Sequence, residues 1–206
     1  FGHQVATDYL ETFLGVMTRK YGLSTPDREL ACAPFGSDEG QAYFAAMKCA
    51  INMSYVNRQV IIHRVREVFS EVFGKSPEDM GMRQVYDVAH NTAMIEEHMI
   101  DGVSRRVLIH RKGATRAFGP GAKETPAVYK NVGQPVIIGG SMETGSWLLA
   151  GVKSAEQTFF STAHGSGRTM SRSKAKKLVN GRELQTDLDR RGIYIRTASW
   201  AGLAEE

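Results

Sequence analysis

Apolar side chains recur every three or four residues through the first third of the chain, the spacing of helices that bury one face. Between residues 5 and 21 they fall at Leu10, Phe13, Leu14, Met17 and Tyr21, with Gly22 as a natural stop. A loop with Pro26 and Pro34 follows. Ser37-Asp38-Glu39 offers a cap and two acids for the first turn of a second helix. That helix is expected to reach about Phe73, where Gly74 closes it. Its inward stripe is Phe44, Met47, Ile51, Tyr55, Arg58, Ile62, Val65, Phe69 and Val72. Arg58 is the only charge on this stripe. Burying a lone guanidinium is costly, so Arg58 calls for a carboxylate, a carbonyl or a bound phosphate.

From Arg83 the texture changes to strands. Val85 to Ala89 is short and apolar. Ala93 to Met99 and Val103 to His110 flank Ile100-Asp101-Gly102, and Asp-Gly is a strong hairpin signal. Pro135 to Ile138 and Trp147 to Ala150 predict two more short strands. Ser171 to Val179 reads as a basic helix ended by Asn180-Gly181, and Ile193 to Ile195 as a last strand. Two long helices followed by mixed or antiparallel strands make the expected class α+β. Neither G-x-G-x-x-G after a first strand nor a G-x-x-x-x-G-K-[ST] loop is present, so a Rossmann or P-loop nucleotide site has no support.

Composition narrows the setting. Every apolar run on the 18-residue scale is broken by charge, so no membrane span is expected. Two cysteines, Cys32 and Cys49, are too few for a disulfide framework; a reducing, cytoplasmic setting fits, with both expected to be structural. No signal peptide is visible. Phe1-Gly2-His3-Gln4 reads like the middle of a strand-turn-helix passage, and Leu203-Ala204-Glu205-Glu206 like a chain about to continue. The expectation is therefore one domain segment, residues 1–206, cut from a longer protein at both ends. The net charge is +4, but its clustering matters more: Ser104 to Arg116 holds five Lys or Arg and Arg168 to Arg182 holds six, neither with an acid. Such stripes attract phosphate backbones, although a solvated basic face has the same composition.

The candidate chemistry lies in histidines and glycine-rich loops. His3 opens a helix, His90 follows an apolar run and precedes Asn91, and His164 sits in Ser161-Thr162-Ala163-His164-Gly165-Ser166-Gly167-Arg168. Neutral imidazole is a common metal ligand, while each histidine taken alone also fits a hydrogen-bonded structural role. Gly165 and Gly167 let the backbone approach a ligand, and Ser166 adds a donor. A histidine in such a nest could attack phosphorus and form a phosphoramidate. Gly139-Gly140-Ser141-Met142-Glu143-Thr144-Gly145-Ser146 follows an apolar strand and suits phosphate or ribose. His110-Arg111-Lys112-Gly113-Ala114-Thr115-Arg116-Ala117 sets three fixed positive charges around a turn, of a kind that holds phosphate oxygens. His63, and His98 with its strand-face neighbour Glu96, read as structural.

Read together, these segments resemble the RtcB family of RNA ligases. The matching stretches are Gly2-His3-Gln4-Val5, Asn57-Arg58-Gln59, Asp87-Val88-Ala89-His90-Asn91, the run from His110 to Ala117, Gly140-Ser141-Met142, and Ser161 to Arg168 running on to Met170-Ser171-Arg172. They keep the family's order and cover nearly the whole chain. The resemblance implies an enzyme that joins RNA 2′,3′-cyclic phosphate or 3′-phosphate ends to 5′-hydroxyl ends, in tRNA splicing and RNA repair. It implies GTP and manganese, two ions in the full enzyme. It makes His164 the histidine that accepts GMP, and His3 and His90 manganese ligands. It places His90, Asn91, Gly139, Gly140, Ser141, Met142, Ser146, Gly165, Ser166 and Gly167 around the nucleotide. Arg58, Lys112, Arg116 and Arg168 become candidates for RNA phosphates, and an archease-type activator becomes a possible partner. The family's metal cage also draws on residues before Phe1, so this segment alone is expected to be inactive. Gly139 stands where the family has proline, and Glu143 where it has a small residue. Two other readings fit the residues: a metal-dependent phosphoesterase that works without GTP, and a non-catalytic basic RNA-binding fragment.

Overall fold

The computed structural model describes residues 1–204, so Glu205 and Glu206, within the expected 1–206 segment, lie outside the described residues. The chain divides into two compact units, Phe1–His110 and Arg111–Glu206.

The first unit opens with α1, Gly2–Tyr21, and α2, Asp38–Phe73. Both ends of α2 follow local chemistry. The Ser37 hydroxyl accepts from the Gly40 amide, Asp38 and Glu39 occupy the positive first turn, and Gly74 ends the helix at φ 63°. Gly22 ends α1 in the same left-handed conformation, at φ 64°. The helices meet through the rings of Tyr9, Phe13 and Tyr43. Outside this apolar contact, Lys20 Nζ pairs with Glu39 Oε1 at 2.8 Å and the Tyr21 hydroxyl donates to Glu39 Oε2 at 2.5 Å.

Next come β1, His90–Ile100, and β2, Val103–Arg116. The turn between them has φ 52° at Asp101 and 76° at Gly102. Two consecutive positive φ angles match the twist of a two-residue hairpin, and Asp-Gly tolerates them. Phe44 and Met47 of α2 pack with Ala93 of β1 into a small core, flanked by Tyr43, Ile51 and Leu108. The α2 stripe is covered only at this end: Val65, Phe69 and Val72 are exposed. Cys49 is exposed on α2, against the expectation of burial, and Cys32 is half-buried.

Residues 83–89 form no strand, contrary to the sequence reading. Their polar groups turn to α2 instead. Arg58 Nε binds Asp87 Oδ1 at 2.5 Å, Gln59 Nε2 donates to Gln84 Oε1 at 3.2 Å, and the Ala89 amide donates to the Tyr55 hydroxyl at 3.2 Å. A segment whose hydrogen bonds go to side chains of a helix has no need of a neighbouring strand.

In the second unit the last residues of β2 pair antiparallel with β5, Ser161–Ala163, in the register Ala114–Ala163, Thr115–Thr162 and Arg116–Ser161. A second antiparallel pair joins β3, Pro135–Ile138, to β4, Trp147–Ala150, both with the boundaries read from sequence. Gln134 is fully buried and ties the sheets' ends: its Nε2 donates to the Arg116 carbonyl at 2.8 Å, and its own amide donates to the Phe118 carbonyl at 2.8 Å. Three helices follow: α3, Arg172–Leu178; α4, Gly181–Arg190; and α5, Trp200–Leu203. α3 ends just before Asn180, as the sequence predicts, and Asn180 also starts the next helix, its Oδ1 accepting from the amides of Arg182 and Glu183. Ile193 to Ile195 is irregular rather than a strand, as no neighbouring strand is offered to it among the described residues. Helices and antiparallel sheets thus make the α+β class expected from the pattern. Among the described residues, no helix is long and apolar enough to cross a membrane.

Candidate nucleotide and nucleophile site

Two loops of the second unit are built against each other. The first leaves β3 at Gly139. Ser141 closes it: its hydroxyl accepts from the amides of Glu143 and Thr144, each at 3.2 Å, and its own amide donates to Thr144 Oγ1 at 2.9 Å. The Gly145 amide returns to the Ser141 carbonyl at 2.9 Å, and the Gly140 amide reaches the Ser146 hydroxyl at 3.4 Å. The hydroxyls expected to face a ligand are therefore engaged in shaping the loop. Gly140 is required by space: a Cβ there would lie 1.7 Å from the Gly145 carbonyl oxygen. Glu143 does not stand as a lone negative charge beside this loop, because it is ion-paired with Arg191.

The second loop leaves β5 at His164. Gly139 and Gly165 form a parallel bridge, and the Ser166 amide donates to the Gly139 carbonyl at 2.8 Å. The His164 amide donates to the Gly113 carbonyl at 3.3 Å, beside Lys112. The turn needs a glycine at Gly167, where φ is 73°. His164 and Gly165 are half-buried, while Ser166, Gly167 and Arg168 are exposed. The structure thus brings together Gly139, Gly140, Ser141, Met142, Ser146, His164, Gly165, Ser166 and Gly167, which come from two separate stretches of sequence.

The basic residues divide. Lys112 and Arg168 are exposed. Arg116 is half-buried, with Nε donating to Gln134 Oε1 at 3.2 Å and its guanidinium 5.1 Å from the centre of the Phe118 ring. Arg111 is buried, with Nε on Ser161 Oγ at 2.9 Å and Nη2 on the Phe159 carbonyl at 2.8 Å. The sequence offers Arg111 only as one of three charges for phosphate oxygens, not as a buried tie, and gives the loop-shaping Thr144 no separate role. A basic residue two positions from Gly113 and a hydroxyl inside a glycine-rich loop were the available signals.

In the first unit, His3 lies in the first turn of α1 and His90 begins β1; both are exposed. Asn91 takes φ 54°, a left-handed conformation that asparagine adopts more readily than most residues. The contacts of Arg58, Gln59 and Tyr55 with residues 84–89 hold the chain that leads into His90 and Asn91. The motifs Asn57-Arg58-Gln59 and Asp87 to Asn91 therefore meet in space. Arg58 Nη2 is buried with no hydrogen-bond partner among the described residues, while the ring of Tyr55 lies 4.4 Å from its guanidinium. The two histidines read as structural take local partners: His63 lies 3.3 Å from Glu67 on an exposed face of α2, and His98 is buried with Glu96 at 2.8 Å. No group of three or more His, Cys, Asp or Glu placed to hold a metal occurs among the described residues.

Comparison with known proteins accounts for this arrangement. Residues 1–206 match the profile of the family described as tRNA-splicing ligase RtcB. A tRNA-splicing ligase RtcB of Archaeoglobus fulgidus is 55% identical over 206 residues, covering 100% of this chain and 42% of that protein. The proteins of the same name from Methanococcus maripaludis and Thermococcus kodakarensis are each 53% identical over all of this chain, which covers 43% and 42% of their lengths. The chain thus spans less than half the length of these relatives. With the family profile matched from the first residue to the last and relatives more than half identical over the whole of it, the chain belongs to the RtcB family of tRNA-splicing ligases.

Proposed function

We propose that the protein to which this chain belongs is a GTP- and manganese-dependent RNA ligase, joining RNA 2′,3′-cyclic phosphate or 3′-phosphate ends to 5′-hydroxyl ends through a guanylylated histidine. The observation that carries the reading is the bridge between Gly139 and Gly165, which sets a glycine loop against the loop of His164 in a chain of this family. On this reading the His164 imidazole attacks the α-phosphorus of GTP. The N–P bond forms, the bond to pyrophosphate breaks, and pyrophosphate leaves. GMP then passes from His164 to the RNA 3′-phosphate, and the 5′-hydroxyl displaces it. Gly139 to Met142, Ser146, Asn91 and Gly165 to Gly167 line the guanylate, with the loop held in shape by Ser141 and Thr144 so that little reorganisation is needed on binding.

His3 and His90 would hold manganese. Two imidazoles suit that ion but do not complete its shell, so the remaining ligands would come from the rest of the longer protein. Bound there, the metal would polarise phosphoryl oxygens. Lys112, Arg116 and Arg168 serve RNA phosphates, and the unpartnered Arg58 Nη2 supports a phosphate contact for that residue as well. Both units would form one catalytic domain in the complete protein, with spliced or broken tRNA as substrate and an archease-type activator as a candidate partner. Free Cys32 and Cys49 fit a cytoplasmic setting.

The test uses the full-length protein, radiolabelled GTP and manganese. Acid-labile, alkali-stable label on the wild type, lost in His164→Ala, is the expected result. Absence of label from folded, manganese-bound wild type overturns the reading in favour of GTP-independent phosphoester chemistry.

A further inference from the structure

We infer that Arg111 is a positioning residue for His164, acting through the left-handed turn that starts β5; the inference rests on His164 being the nucleophile. β2 alternates its side chains so that Arg111 and Thr115 are buried while Lys112 between them is exposed. Arg111 lies in the same basic run as Lys112 and Arg116, yet its guanidinium is turned inward. Its fork spans two points of one short segment, the Ser161 hydroxyl at 2.9 Å and the Phe159 carbonyl at 2.8 Å.

That segment is unusual. Phe159 and Phe160 take φ 51° and 49°, two consecutive left-handed residues, neither of them glycine. Bulky side chains hold such a conformation only when the surroundings impose it. The Phe160 carbonyl accepts from the Ala117 amide at 2.7 Å, and the Phe160 amide donates to the Ala155 carbonyl at 2.7 Å. Arg111 adds the contacts on either side of Phe160. Ser161 then opens β5, and His164 follows three residues later, with its amide on the Gly113 carbonyl, two residues from Arg111. One buried side chain therefore links both strands that carry the nucleophile. A lysine could keep the charge but cannot reach both acceptors as a planar fork.

The experiment compares wild type, Arg111→Lys, Ser161→Ala and the double variant of the full-length protein. Single-turnover transfer of label from GTP to His164 is expected to slow at least about tenfold in Arg111→Lys, with the KM for GTP changed less than about threefold. Ser161→Ala gives a smaller loss of the same kind, and the double variant is no slower than Arg111→Lys, since one bond is removed twice. Hydrogen exchange of the peptide 159–167 speeds up in Arg111→Lys while that of α1 and α2 does not. Wild-type transfer in Arg111→Lys, or loss of rate only in proportion to unfolded protein, overturns the inference. If wild type takes up no label, the ligase reading has failed; exchange of 159–167 still decides the matter, and unchanged exchange rejects the role of Arg111.

Discussion

Gly140 has no room for even a methyl group, which makes it a sharp probe of the proposed nucleotide loop. A Cβ would meet the Gly145 carbonyl oxygen at 1.7 Å and Thr144 Oγ1 at 2.7 Å, and the first of these is backbone. Gly140→Ala must therefore shift the loop bodily. Displacements of about 1 Å near reacting groups can cost roughly 100-fold in rate. In the full-length protein, labelling of His164 is expected to fall by that order while the folded fraction stays high by circular dichroism. Labelling at the wild-type rate would remove this loop from the site. The sequence marked this loop because glycine and hydroxyl clusters are local signals. It could not identify which partner Arg58 takes. Asp87 stands 29 residues away, so the pair exists only once 83–89 has folded onto α2. Asp87→Ala should lower the stability of the folded chain by about 1–3 kcal/mol, the usual effect of removing a partner from a charged hydrogen bond. Chemical denaturation reads it directly. Arg111 was illegible for a related reason: five basic residues in a run look alike until the pleat of β2 turns one of them inward.

At the scale of elements, what was local was readable. Ser37, Gly22, Gly74 and Asp101-Gly102 each act within a few residues of themselves, and each end or turn lies where they set it. Asn180 marked the end of α3 but not the helix that follows, because asparagine serves at both ends of helices and its side chain here caps α4. Apolar runs at 85–89 and 193–195 also misled, since a strand needs a partner and short apolar runs do not name one. The junction of α1 with α2 carries a pH dependence of known sign. The Lys20 ammonium and the Tyr21 hydroxyl hold the Glu39 carboxyl down at about 2, from an ordinary value of 4.5. A depressed carboxyl contributes stability above its unfolded value and loses it as pH falls through the folded one. The contribution is thus complete above about pH 4.5 and gone below about pH 2. Lys20 is in turn raised by the Glu39 carboxylate and by Tyr21, so the alkaline limb lies above the ordinary lysine value. Thermal melts should show Glu39→Gln less stable than wild type at pH 6, with the two converging near pH 2. A gap of unchanged size at pH 2 would mean that the residue acts through packing and not through charge. Gly74→Ala tests the other end of α2: left-handed backbone costs alanine about 1–2 kcal/mol, without altering the pH profile.

For the molecule as a whole, charge and apolar surface say different things about partners. The α2 stripe reads as inward along its whole length, but Phe44 and Met47 are buried, Ile51, Tyr55, Arg58 and Ile62 half-buried, and Val65, Phe69 and Val72 exposed, while Val60, Ile61, Val65, Val68 and Phe69 line an open groove with Arg64. The hydrophobic period was right, but periodicity does not tell how far along a stripe the covering extends. The basic runs were overcounted in the same way. Of the five positive side chains between Ser104 and Arg116, Arg111 is buried and Arg116 leans on Gln134 and Phe118, leaving Arg105, Arg106 and Lys112 exposed. This changes the expected salt dependence of RNA binding. Each phosphate neutralised on a single strand contributes roughly 0.7 to the slope of log affinity against log salt. Replacing exposed Lys112 and Arg168 by alanine in the full-length protein should therefore flatten that slope by roughly 0.7 each, nearly independently of RNA sequence. Arg111→Lys keeps the charge where it is and should leave the slope unchanged while slowing the proposed guanylylation. Slopes measured by fluorescence anisotropy between low and physiological salt separate these cases. If neither Lys112→Ala nor Arg168→Ala alters the slope, the basic runs are a solvated face and RNA is held elsewhere in the longer protein. If both do, the strand lies across the mouth of the His164 loop, where its phosphate would be needed.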